Sequence, residues 1–417
     1  MPKNSLKRCG LRVAASLLFL FLAAAWTDAV WAQQDRRWGT YLHDPQRTNV
    51  TPQRIKLPPE ESWTARLAPL FRFPKRRATE VISPPMIYDG AVYVGSTRGR
   101  FYSFDLSTGR PLWEFKLPSN VDGPATVVEK MVCFGTIEGV LYCLERATGK
   151  ELWHFNSRSE VLSAPVITPD TVYFTSMDNR VYALDRYTGK KLWSYTHRSS
   201  HYVMPRLYTS PAVSHPDSGT RIYVQFADGY LVSLDTATGR ELWVKDVLGG
   251  KLDIDHARRT PLVYGEMVYA IDSKGYIRAF DAKSGAERMR FDIIKAVDFA
   301  IRGRNIYIVG RKRLVALNRR TGRILWTSTN EHGTPYSILS SGRHLFVLSN
   351  LSYAPFGIEH LERTYGYITA YSITDGEEVW GRRLGSELWS NAAVSEGYIA
   401  LVTTKGRLKV YGMDQAD

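Results

Sequence analysis

The chain has 417 residues, a length that ordinarily means two or three domains, and carries 55 Lys and Arg against 41 Asp and Glu, a formal charge of +14. It has three cysteines, and past the N-terminus no stretch is long and apolar enough to cross a bilayer.

At the N-terminus Lys3, Lys7, Arg8 and Arg12 precede VAASLLFLFLAAAW, and Val30-Trp31-Ala32 offers small-residue cleavage geometry before Gln33. A positive start, an apolar core of about 14 residues and that site predict a secretory signal over 1–32, with 33–417 exported. Removing 1–32 takes away four basic residues and Asp28, which lowers the net charge from +14 to +11. Basic clusters remain at Lys75-Arg76-Arg77, Arg311-Lys312-Arg313 and Arg319-Arg320. An exported protein rarely meets nucleic acid, so anionic lipid heads, polysaccharide or an acidic protein are the partners such clusters would meet; the alternative is a solvated basic surface.

Residues 82–117 hold the pattern that organises the rest. An apolar run to Tyr88, the Asp89-Gly90 turn, the alternating AVYVGS and FYSFD, and a Thr-Gly turn leading into LWEFKL read as four short strands with no helical period. The turn recurs as STGRPLW, ATGKELW, YTGKKLW, ATGRELW, a decayed KSGAERM at 283–289, RTGRILW and TDGEEVW. An acid stands four residues before the glycine at Asp105, Glu145, Asp185, Asp235 and Asp281, replaced by Asn318 and Ser372 in the last two. Helix-free four-stranded units at this period are propeller blades. The fourth strand should present Trp113, Trp153, Trp193, Trp243, Trp326 and Trp380 to the neighbouring blade. Residues 390–411 supply three more strands, and SWTARL at 62–67, with Trp63, offers the missing fourth. The expectation is an all-β, eight-bladed propeller closed by an N-terminal strand in the C-terminal blade, which removes open sheet edges.

Cys9 leaves with the signal. Cys133 and Cys143 fall on adjacent strands of one hairpin and should face each other, which suits a disulfide in an oxidising compartment. The alternative is two small buried apolar residues.

Signatures of catalysis are missing: there is no GxSxG, HExxH or GxxxxGK[ST]. His197 and His201 lie four apart in a β context, which is poor metal geometry, and Asp253 with Asp255 reads as a solvated acidic pair in a linker. The inner strands, read as SPPMI, GPATVV, SAPVIT, SPAVS, TPLVY, FAIRG, SILSS and SNAAVS, carry one basic residue, Arg302, and no acid. A hard cation on the axis would find few ligands there.

The repeats resemble the family named for pyrroloquinoline quinone, eight-bladed propellers with Trp-docked blades; the likeness includes the opening WGTYLHDPQRTNV at 38–50. Dehydrogenases of that family use a bound Ca²⁺, an Asp base and usually a vicinal Cys-Cys, and no Cys-Cys occurs here. A narrower likeness covers YVMPRLYTSPAV at 202–213, 251–285 and 297–322, which resemble the BamB family of periplasmic propellers in outer-membrane β-barrel assembly. That resemblance implies a non-catalytic scaffold without cofactor, whose protein partner is a barrel-assembly protein of the outer membrane. It places Arg206 at the family's partner-contacting arginine. Asp253 and Asp255 lie a few residues before the family's acidic positions, which His256 and Arg258 occupy. No lipobox is present, because Cys9 precedes the apolar core, so direct lipid anchoring is not expected.

Blade connectivity adds a geometric reading. Loops after second and fourth strands emerge on one face, so the connections 194–209 and 244–260 and the insertion at 350–366 crowd one rim. Tyr202, Met204, Arg206, Leu207, Tyr353 and Phe356 would give that rim the aromatic, Met and Arg character of an interface core; the alternative is loops packed on one another. Two rival functions remain: a quinone-dependent oxidoreductase or its degenerate relative, and a binder of anionic envelope glycan or lipid.

Overall fold

The computed structural model describes residues 39–67, 83–198, 209–214, 221–250, 260–353, 363–388 and 390–412, and the predicted signal lies outside them. Among the described residues there is no helix. Eight four-stranded antiparallel blades follow one another, and a short N-terminal strand adds a parallel fifth to the sheet of blade 7. Blade 1 comprises Met86–Tyr88, Ala91–Ser96, Arg100–Asp105 and Pro111–Lys116. Blades 2 to 5 follow over 126–156, 166–196, 212–246 and 262–291. Blade 6 runs Ala296–Arg302, Asn305–Gly310, Arg313–Asn318 and Ile324–Thr329, and blade 7 occupies 334–383. Blade 8 contributes Ala393–Ser395, Tyr398–Thr403 and Arg407–Gly412, and Glu60–Arg66 pairs antiparallel with the last of these as its outer strand.

The turn chemistry explains the repeat. In blade 1, Asp105 Oδ1 accepts hydrogen bonds from Ser107 N at 3.1 Å and Thr108 N at 2.8 Å. These bonds, with those from both hydroxyls, hold the carboxyl below its usual range. Gly109 then takes φ +69°, where any other residue would be strained. A one-residue bulge ahead of each blade tryptophan, at Leu112 in blade 1 and Leu152 in blade 2, turns that leucine outward and the indole toward the next blade. The indole N–H then donates to a carbonyl in that blade: Trp113 to Arg146 O at 2.9 Å, Trp153 to Arg186 O at 2.9 Å, Trp193 to Thr236 O at 2.9 Å. Trp243 and Trp326 repeat the bond to Ala282 O and Ile373 O, each at 3.1 Å. Trp63 makes it to Leu106 O of blade 1 at 2.8 Å, so the last blade docks on the first. Trp380 packs against the apolar core shared by the first and last blades.

The indole also fills the space over the next turn glycine. A Cβ at Gly149 or Gly189 would lie 2.5–2.6 Å from the ring of Trp113 or Trp153. Blade 5 has Met289 in place of tryptophan, and the following glycine, Gly322, has nothing within 4 Å of such a Cβ. The decayed repeat therefore leaves an unfilled contact at that blade junction.

Candidate functional site

Of the eight residues predicted for the partner-binding rim, Tyr353 is described. It ends the long second strand of blade 7, His344–Tyr353, which pairs with the third, Arg363–Ser372, and it is 57 % exposed. Part of the predicted insertion is therefore strand: Tyr353 pairs with Arg363 in the ladder. Tyr202, Met204, Arg206, Leu207, Asp253, Asp255 and Phe356 lie outside the described residues.

The roots of the two long connections are described. Before the first, His197 is buried; its Nε2 lies 2.8 Å from Asp228 Oδ2 of blade 4, and its ring stacks on Phe226 at 4.4 Å. His197 is thus committed to a carboxylate partner, and its predicted companion His201 lies outside the described residues. At the far ends, Thr209 donates its hydroxyl to Gln225 O at 2.6 Å, and Ser210 N donates to Thr260 Oγ1 at 3.1 Å. The return points of the two connections are therefore hydrogen-bonded to each other.

A second feature escaped the sequence reading. Residues 39–53 follow the inner wall of the ring as a strap. Carbonyls of Gly39, Pro45, Gln46, Thr48 and Asn49 accept from Val127 N, Val213 N, Val263 N, Ile301 N and Ser340 N at 2.5–3.4 Å, on the innermost strands of blades 2, 4, 5, 6 and 7. Val50–Thr51 pairs in parallel with the innermost strand of blade 7, and the Gln53 side chain accepts from Glu396 N of blade 8. Inner strands expose one backbone edge to the channel, and a buried edge must be satisfied; the strap does this. Its curvature needs positive φ at Leu42, His43, Arg47 and Asn49, conformations that persist where the surroundings enforce them.

Arg47 is the centre of this arrangement. It is fully buried; its Nε donates to Pro211 O at 3.0 Å, and its terminal nitrogens donate to Thr40 Oγ1 and Tyr41 O at 2.7 Å and to Ala164 O at 3.2 Å. One side chain therefore ties the strap to blades 3 and 4. Burial pushes its pKa down to about 10, against the attraction of Asp44. The sequence signal was the turn-rich, aperiodic run His-Asp-Pro-Gln-Arg-Thr-Asn, which is neither helix nor strand.

The inner strand of blade 6 corrects the expectation that no acid lines the axis. It begins at Ala296, includes a bulge between Ala296 and Asp298, and so carries Asp298. This carboxylate accepts from Phe299 N at 2.9 Å and from Ile338 N of blade 7 at 3.0 Å, yet burial pushes its pKa up to about 7. One oxygen is thus held within its own strand, and the other links blade 6 to blade 7.

These residues do not fit a quinone with its calcium ion. The strap lines the channel wall at the level of Arg47, and a buried guanidinium repels a cation. Asp298 is engaged by backbone N–H groups, and the described residues contain no cluster of three His, Cys, Asp or Glu that could hold a metal. Cys133 and Cys143 are joined by a disulfide between the second and third strands of blade 2, with their Cα atoms 4.2 Å apart. That bridge is buried in the core between blades 2 and 3.

Comparison with known proteins agrees with this architecture. Outer membrane protein assembly factor BamB from Kangiella koreensis is 31 % identical over 128 residues, which cover 28 % of this chain and 31 % of that protein. Quinohemoprotein alcohol dehydrogenase ADH IIB from Pseudomonas putida is 29 % identical over 178 residues, 38 % of this chain and 25 % of the enzyme. The chain spans less than a third of the length of these two curated relatives. The crystal structure of BamB from Moraxella catarrhalis superposes with a TM-score of 0.62 at 19 % identity, covering 85 % of this chain and all of that one, a likeness of fold. The family profile described as outer membrane protein assembly factor BamB matches residues 59–136, 122–328 and 311–417. With nearly the whole propeller so matched, the chain belongs to the BamB family.

Proposed function

We propose that this protein is a non-catalytic scaffold of the periplasm, exported by residues 1–32, that binds a barrel-assembly protein of the outer membrane through one rim of its propeller. The observation that carries the reading is the strap: with Arg47 and residues 39–53 lining the channel, the rim is left as the surface for recognition. Tyr202, Met204, Arg206, Leu207 and Phe356, with the exposed Tyr353, supply the residue types that dominate interface cores. Asp253 and Asp255 complete the proposed partner-binding set with acidic charge. The partner's identity is tested by affinity capture from envelope extract. Co-purification of a barrel-assembly protein with wild-type chain, and its loss with Arg206→Ala, supports the reading; equal capture by both chains contradicts the assigned site.

The similarity to a quinohemoprotein alcohol dehydrogenase keeps a quinone-dependent oxidoreductase as the second reading. Adding pyrroloquinoline quinone and Ca²⁺ to purified protein separates the two. No bound-cofactor absorbance is expected, and stoichiometric binding with dye reduction would sink the scaffold reading.

A further inference from the structure

Blade 6 differs from the other seven in charge. From Ala296 to Thr329 it carries eight basic residues against one carboxylate, Asp298, a formal +7 out of the chain's +14. Asp298 is spent on the backbone of blade 7, and its burial favours the neutral form. The excess arises where acids occur in other blades. The turn acid of Asp105, Asp185 or Asp281 is Asn318 here; the first residue of the outer strand, Glu151, Glu241, Glu287 or Glu378 elsewhere, is Ile324; and Arg304 takes the hairpin position of Asp170 and Glu266.

Elsewhere arginines find carboxylates within the fold: Arg146 pairs with Asp89 at 2.8 Å, Arg180 with Asp178 at 3.2 Å, Arg290 with Asp272 at 3.4 Å. Among the described residues none of the eight basic groups of blade 6 makes such a pair. Arg302 and Arg319 are held by neutral groups: Arg302 donates to Gly342 O, and Arg319 donates to Gly303 O and lies over the Tyr264 ring at 4.9 Å. The others are exposed in two groups. Arg311 and Lys312 form the turn between the second and third strands and Arg313 opens the third, on the rim that bears the long connections. Arg304, Arg320 and Arg323 stand at the opposite end of the blade.

The strand Arg313–Asn318 separates the groups, which at ~3.3 Å per residue places them about 20 Å apart. On the outer strand beside Arg323, Ile324 and Leu325 are 46 % and 43 % exposed. A single small anion cannot span both groups, whereas a plane of phosphate headgroups meets them together and accepts the two apolar side chains at its boundary. From this placement we infer that the outer edge of blade 6 is a docking edge for an anionic phospholipid surface. The inference stands apart from the scaffold reading in its ligand; Arg311, Lys312 and Arg313 share the rim proposed for the protein partner, while Arg304, Arg320 and Arg323 stand at the other end of the blade.

The test is co-sedimentation with phosphatidylcholine vesicles, with and without about 30 per cent phosphatidylglycerol, at several salt concentrations. Wild-type chain pellets with the anionic vesicles alone, and salt releases it. Each Lys or Arg at such a surface contributes roughly a five-fold factor, so Arg311→Gln/Lys312→Gln/Arg313→Gln should weaken binding ~100-fold and Arg320→Gln/Arg323→Gln ~25-fold. Ile324→Gln should weaken it a few-fold at every salt concentration. Lys150→Gln/Lys190→Gln/Lys191→Gln, which removes three charges from blades 2 and 3, should cost far less than the blade 6 triple variant. Thermal melts of each variant establish that the fold is kept. Failure of wild-type chain to pellet overturns the inference. So does equal loss from both triple variants, which would assign binding to net charge. Retention on soluble dextran sulfate that depends on blade 6, without vesicle binding, would replace the lipid with a soluble polyanion.

Discussion

Arg47→Met removes the side chain that ties the strap to blades 3 and 4 while keeping its bulk. The substitution takes donors away from the carbonyls of Tyr41, Ala164 and Pro211; Thr40 Oγ1 keeps its contact with Thr126 Oγ1 at 2.8 Å. A buried acceptor left bare costs ~1–3 kcal/mol, so three cost ~3 kcal/mol or more. Part is offset, because methionine also removes a buried charge whose desolvation pushes the arginine pKa down to about 10. The expected net loss is ~2–4 kcal/mol, measured by guanidinium unfolding. Amide exchange gives a sharper readout. Val213, Val263 and Ile301 donate to Pro45 O, Gln46 O and Thr48 O, and their protection should fall, while outer-strand amides such as Trp153 keep theirs. Unchanged unfolding and unchanged protection at all three amides would show that the strap is not held by Arg47.

Two further perturbations probe blade junctions. Met289→Trp should fill the space over Gly322 and stabilise the ring by about 1 kcal/mol; a loss of that size would mean the junction has closed around methionine. Asp298 tests electrostatics: its folded pKa of about 7 lies above the ordinary 3.8, so the native state binds the extra proton between pH 4 and 7. Its contribution to stability therefore falls as pH rises through that window and is fully unfavourable above it. Asp298→Asn should flatten that part of the stability–pH curve, and an unaltered slope would refute the assignment.

The propeller was legible because its turns are chemically strict. A left-handed glycine, an acid four residues earlier and an indole seated over the next glycine can be read at fixed spacing wherever they survive, and even Met289 reads as a decayed copy. Ring closure by Trp63 was legible for the same reason. The strap was not, since its conformation is imposed by the inner edges of other blades, to which residues 39–53 bear no periodic relation. Asp298 was missed because the bulge at Ala296 moves the strand start ahead of the apolar run Phe299–Ile301. The basic clusters at 311–313 and 319–320 were visible in sequence. That they find no carboxylate partner among the described residues is a property of the folded blade.

The most direct measurement is calorimetric titration of the periplasmic part of a barrel-assembly protein with wild-type, Arg206→Ala and Arg240→Ala chains. Arg240 is exposed on a turn of the opposite face and serves as the charge-matched control. Loss of an interface anchor should cost ~2 kcal/mol or more, about a thirty-fold weaker Kd for Arg206→Ala, with Arg240→Ala close to wild type. Equal weakening by both substitutions, or no binding by the wild-type chain, would contradict a rim-binding scaffold.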